Sequence, residues 1–555
     1  MRGLYLLALV ITLALILAAC GGDTESTGGD GDTSSSESGD SSSEGSSEES
    51  DEPKQGGDLV LASTGSPTMF NPLYTSDTTS GVVEDMIYNG LTGTAPDGEK
   101  TPDLATEWEH NDDGTVLTFY LRDDVTWHDG EPFTAEDVEF TYSLPLSEDY
   151  TGPRATYFKS VEKVEAIDDY TVEITLKSPD ATFLTKSTGY GVLPKHILGD
   201  VPIADIAKHE FNTKNPIGTG PFKFVEWKQG QHVLVEANED YFEGRPNFDT
   251  ITQKIVDDSN AMLAQFQAGD IDFIGVPSDN LSSAEALVER GQAEMETVLR
   301  TSYTYIGYNH RIPMFEDKKV RQALTHAIDR ETFLESVMDG NGQVINHPGY
   351  PEGWAYNDDV PEFEYDPEKA KELLAEAGWT DTNDEGILVN EDGEEFEFTL
   401  KLQQGNTVRT KVAEYAQEEW GKLGIKVNLN VSEWSAFLQE LDAPHDFDAF
   451  ILGLSASLDP SVTSVYHSSE AENGLNRAGY SNKELDKLME ESDHIADQDE
   501  RAEKIKEIQG IIAEDQPFTY MFLSTNNYIF KPELKGIQMH PTSSYYKINE
   551  WWFDE

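Results

Sequence analysis

The sequence predicts an α/β protein of at least two lobes with mixed sheets, each lobe gathered from segments that are not contiguous in the chain. A length of 555 residues is more than one hydrophobic core usually fills. From Phe396 to Val431 a strand pattern, a helix pattern and a second strand pattern follow one another, the β-α-β order of a parallel or mixed sheet. Aromatic-rich strand patterns at Tyr303–Asn309 and in residues 517–530 stand far apart and read as crossings between lobes.

The chain opens with Arg2, an apolar run from Leu4 to Ala19, and then Cys20-Gly21-Gly22. A basic start, a short apolar stretch and small residues before a cut predict a signal peptide over 1–19, not a spanning helix. Cys20 is the only cysteine, so no disulfide is available to the rest of the chain. Residues 20–55 are mostly Ser, Gly, Asp and Glu and cannot bury enough apolar surface to fold, which predicts a tether. The net charge is -66, from 39 basic and 105 acidic residues. Nucleic acid and anionic lipid are poor partners for such a surface. The charge is spread along the whole chain, which favours a surface suited to high salt over a dedicated site for cations.

Gly57–Ala62 reads as a first strand, followed by a turn-rich loop to Asn71 and a helix from Thr78 to Tyr88. Thr115–Leu121 alternates as a strand. Trp127-His128-Asp129-Gly130 reads as a turn, and Thr134 with Asp137 as a helix start. Residues 158–164 and 171–176 form a strand, turn and strand. In Asn215–Asp249, Pro216, Gly218, Gly220 and Pro221 fix a rigid turn. An aromatic-rich hairpin follows, turning at Gln229-Gly230. This stretch is expected to frame the hinge and scaffold and to stay clear of any ligand. Ile251–Val256 is a strand and Asn260–Ala268 a helix. Helices follow over 320–328, 330–337 and 366–377, the last capped by Asp366 with Pro367 in its first turn. A strand at 396–403, a helix at 410–422 and a strand at 425–431 come next. The strand Asp446–Leu454 runs into the loop Ser455-Ala456-Ser457-Leu458-Asp459-Pro460, and ligands of α/β lobes collect at such strand ends.

No Gly-x-Ser-x-Gly, phosphate loop or His-Glu-x-x-His occurs. The 12 histidines are scattered, with no pair at ligand spacing on one helix. No catalytic residue, metal ligand or cofactor is therefore expected. Acidic residues are so abundant that a two-carboxylate secreted hydrolase stays open as an alternative. A binding protein fits better: a deep cleft between lobes can hold a ligand with aromatic walls and a few polar groups.

The combination of motifs resembles the family 5 extracellular solute-binding proteins, the oligopeptide, dipeptide and nickel receptors of ABC importers. It includes Asn-Pro-x-Gly-Thr-Gly-Pro-Phe at Asn215–Phe222 and Asn-x-x-Tyr-Phe-x-Gly-x-Pro at Asn238–Pro246. It also includes Trp-His-Asp-Gly-x-Pro-Phe-Thr-Ala-x-Asp-Val at Trp127–Val138, Ala-Gly-Asp-Ile-Asp at Ala268–Asp272, Tyr365–Trp379 and Gly479–Leu488. The resemblance implies a two-lobed periplasmic-binding-protein-like fold with an extra inserted subdomain. It suggests lobe I as 56–92, 214–306 and 527–555, the inserted subdomain as 93–213, and lobe II as 307–526.

By the same resemblance the protein is expected to be an extracytoplasmic, monomeric receptor. It would be lipid-anchored through Cys20, capture oligopeptides and deliver them to a membrane permease. Oligosaccharides or a nickel or other metal chelate are the alternative ligands. The implied ligand-binding residues are Thr68, Phe70 and Asn71 in the opening loop, Trp434, then Ser455, Ala456, Ser457 and Asp459, and Asn476. Peptide receptors of the family often carry an Asp near the position of Ser457 for the ligand's α-amino group. Here the nearest acid is Asp459.

Overall fold

The computed structural model describes residues 53–442, 444–472 and 474–554. The predicted leader, Cys20 and the tether up to residue 52 lie outside the described residues. A ten-stranded mixed sheet runs through the described chain. Its two longest strands, Glu294–Tyr308 and Phe518–Phe530, lie antiparallel side by side at its middle. On one flank stand, in spatial order, Phe273–Val276, Asp58–Ser63, Thr250–Ile255, His232–Ala237 and Phe222–Lys228. On the other stand Ala449–Ser455, Glu397–Gln403 and Lys426–Ser432. These are the two lobes. Each long strand begins in one lobe and ends in the other.

The changeover is marked in the ladder. Leu299 pairs with Thr525, and the next registered pair is Tyr303 with Leu523. Arg300, Thr301 and Ser302 therefore stand opposite Ser524 alone. Extra residues on one strand bend it and raise its local twist. Beyond the bulge the side chains of Tyr303, Tyr305, Ile306 and Tyr308 are buried among the second lobe's aromatics.

A separate four-stranded antiparallel sheet forms the inserted subdomain, in the order Ala105–His110, Val116–Leu121, Thr171–Leu176, Val161–Asp168. It closes its own core around Phe119, Trp127, Phe133, Tyr142 and Phe158. The Thr134 backbone N–H donates to Asp137 at 3.0 Å, as a helix start over Ala135–Ser143 requires.

The hairpin of strands Phe222–Lys228 and His232–Ala237 lies at the outer edge of the large sheet, far from the crossings. This stretch thus stands away from the strands that join the two lobes, which are Glu294–Tyr308 and Phe518–Phe530. Its rigid turn serves a different contact. A side chain on Gly218 would collide with the Ile87 carbonyl at the end of helix Thr78–Ile87, so only glycine allows this approach. His128 fastens the inserted subdomain to the same turn. Its Nδ1 accepts from the Gly218 N–H at 3.2 Å and its Nε2 donates to the Gly220 carbonyl at 3.0 Å. Burial lowers its pKa to about 4 despite the Gly220 bond, so His128 is a neutral structural link.

Candidate functional site

Three cavities with shared walls run between the second lobe and the rest of the chain. The largest, about 1260 Å³, lies between Tyr157, Lys159 and Lys177 of the inserted subdomain and Asp442, Glu470 and Arg477 of the second lobe. A middle cavity of about 180 Å³ is walled by Tyr303, Tyr350, Trp354 and Tyr466 and by the whole Ser455–Pro460 loop. The third, about 760 Å³, lies at the strand crossing and is lined by Arg300, Ser302, Arg409, Gly453, Asn526 and Asn527, among others. The first and second share Lys186, Ser461, Ser464 and Leu475, and the second and third share Tyr303, Leu454 and Ser455. Ligand clefts combine apolar walls with a few placed polar groups in this way.

The strand Ala449–Ser455 leads into the centre of this cleft. On one side it pairs along its length with the long strand, from Ala449 opposite Tyr308 to Ser455 opposite Ser302. On the other side its registered pairing with Glu397–Gln403 covers only Ala449 and Phe450. From Ile451 onward that edge has no ladder partner among the described residues, and Gly453, Leu454 and Ser455 line the third cavity. At the strand's end the Ser302 and Ser455 hydroxyls lie 2.8 Å apart, and the Thr301 hydroxyl donates to the Ala456 carbonyl at 2.6 Å.

Of the residues expected to touch ligand, Ser455, Ala456, Ser457 and Asp459 are brought together on the middle cavity. The Asp459 carboxylate, however, is already occupied. Arg501 donates to it at 2.8 and 3.2 Å, Thr185 at 2.6 Å, and Lys186 stands 4.0 Å away. Burial pushes this carboxyl up, but Arg501 and Lys186 outweigh that and hold it at about 2. Asp459 is thus a charged tie between the second lobe and the inserted subdomain, not a free acceptor for an amine. The neighbouring Asp97-Gly98 turn adds a backbone bond from the Trp354 N–H to the Asp97 carbonyl at 3.1 Å.

The other expected residues lie apart from the cavities. Phe70 is fully enclosed, its ring 5.6 Å from Phe224 and 5.1 Å from Trp227 in the first-lobe core. Asn71 is equally buried and donates to the Asn212 side chain at 2.9 Å. Thr68 is exposed and donates to Asp77, the cap of the following helix, at 2.6 Å. Asn476 is buried, its amide donating to the His467 and Tyr480 carbonyls. Trp434 is 40% exposed and stacks on Phe437 at 5.9 Å.

Sequence reasoning missed Lys186, Arg300, Tyr350, Trp354 and Arg409. Arg409 follows the strand Glu397–Gln403 at the start of helix Thr407–Gly421, where the strand-end rule could have found it. The others stand in segments without a local signal. Among the described residues no group of three or more His, Cys, Asp or Glu could hold a metal ion. No helix among them is long and apolar enough to cross a membrane.

Comparison with known proteins places this geometry. Residues 99–476 match the bacterial extracellular solute-binding proteins, family 5 middle region. The chain is 44% identical over 553 residues to the oligopeptide-binding protein AppA of Bacillus subtilis, covering 99% of this chain and 98% of that protein. The structure of that AppA in complex with a nonapeptide superposes with a TM-score of 0.69 at 45% identity, over 91% of this chain and all (100%) of the other. NikZ of Campylobacter jejuni in complex with Ni(L-His) gives a TM-score of 0.70 at 28% identity, over 89% and 99% of the two chains.

Proposed function

The chain belongs to the family 5 bacterial extracellular solute-binding proteins, and on that footing we propose that it captures oligopeptides for an ABC importer. The observation that carries this reading is the free backbone edge of the strand Ala449–Ser455 from Ile451 onward, which opens into a long, partly aromatic cleft. An extended peptide can add to such an edge as a further strand, holding on by main-chain hydrogen bonds, while side chains enter roomy cavities. That mode tolerates many sequences. Ser455, Ala456 and Ser457 serve the peptide backbone. Trp434, exposed and backed by Phe437, offers an aromatic face to a side chain reaching beyond the cavities. Phe70, Asn71 and Asn476 hold the walls in place.

Cys20 carries the lipid that anchors the protein outside the membrane, and residues up to 55 form the tether. A single acyl chain holds only marginally, so anchoring needs more than one. The receptor works as a monomer, and closure of its lobes is the signal read by the permease. It performs no chemistry on its ligand. Native mass spectrometry of protein purified from its host, followed by titration calorimetry with a mixed peptide library, tests the reading. A co-purified peptide and heat on peptide addition are expected. Heat with oligosaccharides or a nickel–histidine chelate, and none with peptides, would overturn it.

A further inference from the structure

A small cavity of about 40 Å³ adjoins the tie at Asp459. Its walls are Lys100, His110 and Thr185 of the inserted subdomain and Trp354 and Arg501 of the second lobe. Gln498 and a few glycine, alanine and leucine residues complete it, and no carboxylate lines it among the described residues. In a chain with 105 acidic residues that composition is a departure.

Two of the walls carry a polar atom with nothing to bond. His110 Nδ1 and Trp354 Nε1 are buried and have no hydrogen-bond partner among the described residues. Native proteins rarely leave such atoms unpaired. An indole N–H can only donate, and a neutral imidazole can carry its proton on Nδ1. Burial lowers the pKa of His110 from its ordinary 6.5, which keeps the ring neutral.

The positive charge around the cavity is incompletely matched. Lys100, Lys186 and Arg501 all act on the one Asp459 carboxylate. Lys100 donates to the neutral Thr94 hydroxyl at 3.0 Å. Burial brings its pKa down to about 8, although Asp459 and Asp103 pull the other way. Burial raises Asp103 itself to about 7, so it is a partial counter-charge at neutral pH. Asp180 and Asp493 act on Arg501, but neither lines the cavity. A buried water needs acceptors as well as donors. Here the ammonium, guanidinium and indole groups all donate. A small anion accepts from each of them, and the volume suits a monatomic one.

We propose that this cavity is a halide site, holding one chloride between Lys100, His110 and Trp354, and that the chloride joins the inserted subdomain to the second lobe. Its walls come from both bodies, so the anion binds where they meet and favours their closed arrangement. No peptide contact is involved, and the site stands independently of what the cleft captures.

The test begins with crystals of the full mature protein soaked in sodium bromide and measured at the bromine absorption edge. An anomalous peak in contact with Lys100 Nζ and Trp354 Nε1 is expected. Crystals in which Thr185 and Arg501 both hold Asp459, yet which show no bromide in the cavity, overturn the site. Thermal melts in sodium chloride and in sodium gluconate at equal ionic strength give a second readout, since gluconate is too large to enter. Wild type should melt about 2 °C higher in chloride. Lys100→Gln should lose most of that difference. So should Trp354→Phe, which deletes the indole N–H but keeps a ring, and which reports even where Lys100→Gln fails to fold. A bromide peak with equal melting in the two salts marks an adventitious ion only and overturns the joining role. The same chloride advantage in wild type and both variants assigns it to bulk salt and overturns the proposal.

Discussion

The Thr185 hydroxyl donates a 2.6 Å hydrogen bond to the Asp459 carboxylate across 274 residues of sequence, joining the inserted subdomain to the second lobe. Removing it with Thr185→Ala should loosen the approach of the two bodies without disturbing either core. A single hydrogen bond of this kind contributes about 1 kcal/mol, so the open population should rise roughly fivefold. Energy transfer between dyes on the inserted subdomain and the second lobe, in a chain with Cys20 replaced, measures this. Unchanged transfer efficiency in the peptide-free protein would show that the bond does not restrain the lobes.

The partner of that carboxylate is the buried Arg501, with side-chain exposures of 1% for Asp459 and 4% for Arg501. Asp459→Ala leaves a guanidinium in a low-dielectric site without its counter-ion and should cost about 3–5 kcal/mol. The pH dependence follows from the depressed pKa. The folded carboxyl titrates at about 2 against an ordinary 3.8, so its contribution is fully present above about pH 4 and is lost as pH falls towards 2. Acid titration of stability should show roughly 2 kcal/mol of this loss in wild type and none of it in the variant.

Glu84 gives the opposite sign. Its carboxyl is buried beside Asp85 and accepts a 2.6 Å bond from Thr75, and burial raises its pKa to about 8 from 4.5. The folded state therefore keeps a proton that the unfolded chain releases, and stability falls as pH rises from 4.5 to 8. Glu84→Gln should raise the melting temperature at pH 8 and leave it unchanged at pH 4.5, the gain at pH 7 reaching roughly 3 kcal/mol. A shift of equal size at both pH values would assign the effect to packing instead.

Trp434→Ala should lower peptide affinity several-fold while costing about 1 kcal/mol of stability or less, because the indole is substantially exposed and packs chiefly on Phe437. Calorimetry and thermal melts on the same preparation separate the two effects. A large fall in melting temperature would make Trp434 a structural anchor.

Features with local causes were legible in the sequence. The Asp366 cap, which accepts the Lys369 N–H at 2.9 Å, and the Gly230 turn follow from residue types a few positions apart. The first half of the strand Glu294–Tyr308 was not, because Glu294, Glu296 and Thr297 are exposed and leave no apolar alternation to read. At the site, the Ser455–Pro460 loop could be found from its strand. Its meaning could not, because Thr185 and Arg501 reach Asp459 from 274 and 42 residues away. Phe70 was misplaced for a related reason. An aromatic in a turn-rich loop looks available until the hairpin carrying Phe224 and Trp227 is laid over it.

The shared central strands also set an order of assembly. Asp58–Ser63 lies between Thr250–Ile255 and Phe273–Val276, and the latter is closed on its far side only by Phe518–Phe530. The first lobe thus draws its sheet from both halves of the chain, and Trp551 lies in its core. A chain made from its N-terminus can assemble most of the second lobe while the first still lacks its closing strand. Pairing across such separations is slow, so the half-emerged molecule exposes strand edges for longest in the lobe synthesised first. Truncation from the C-terminus should therefore unravel the beginning of the protein before its middle.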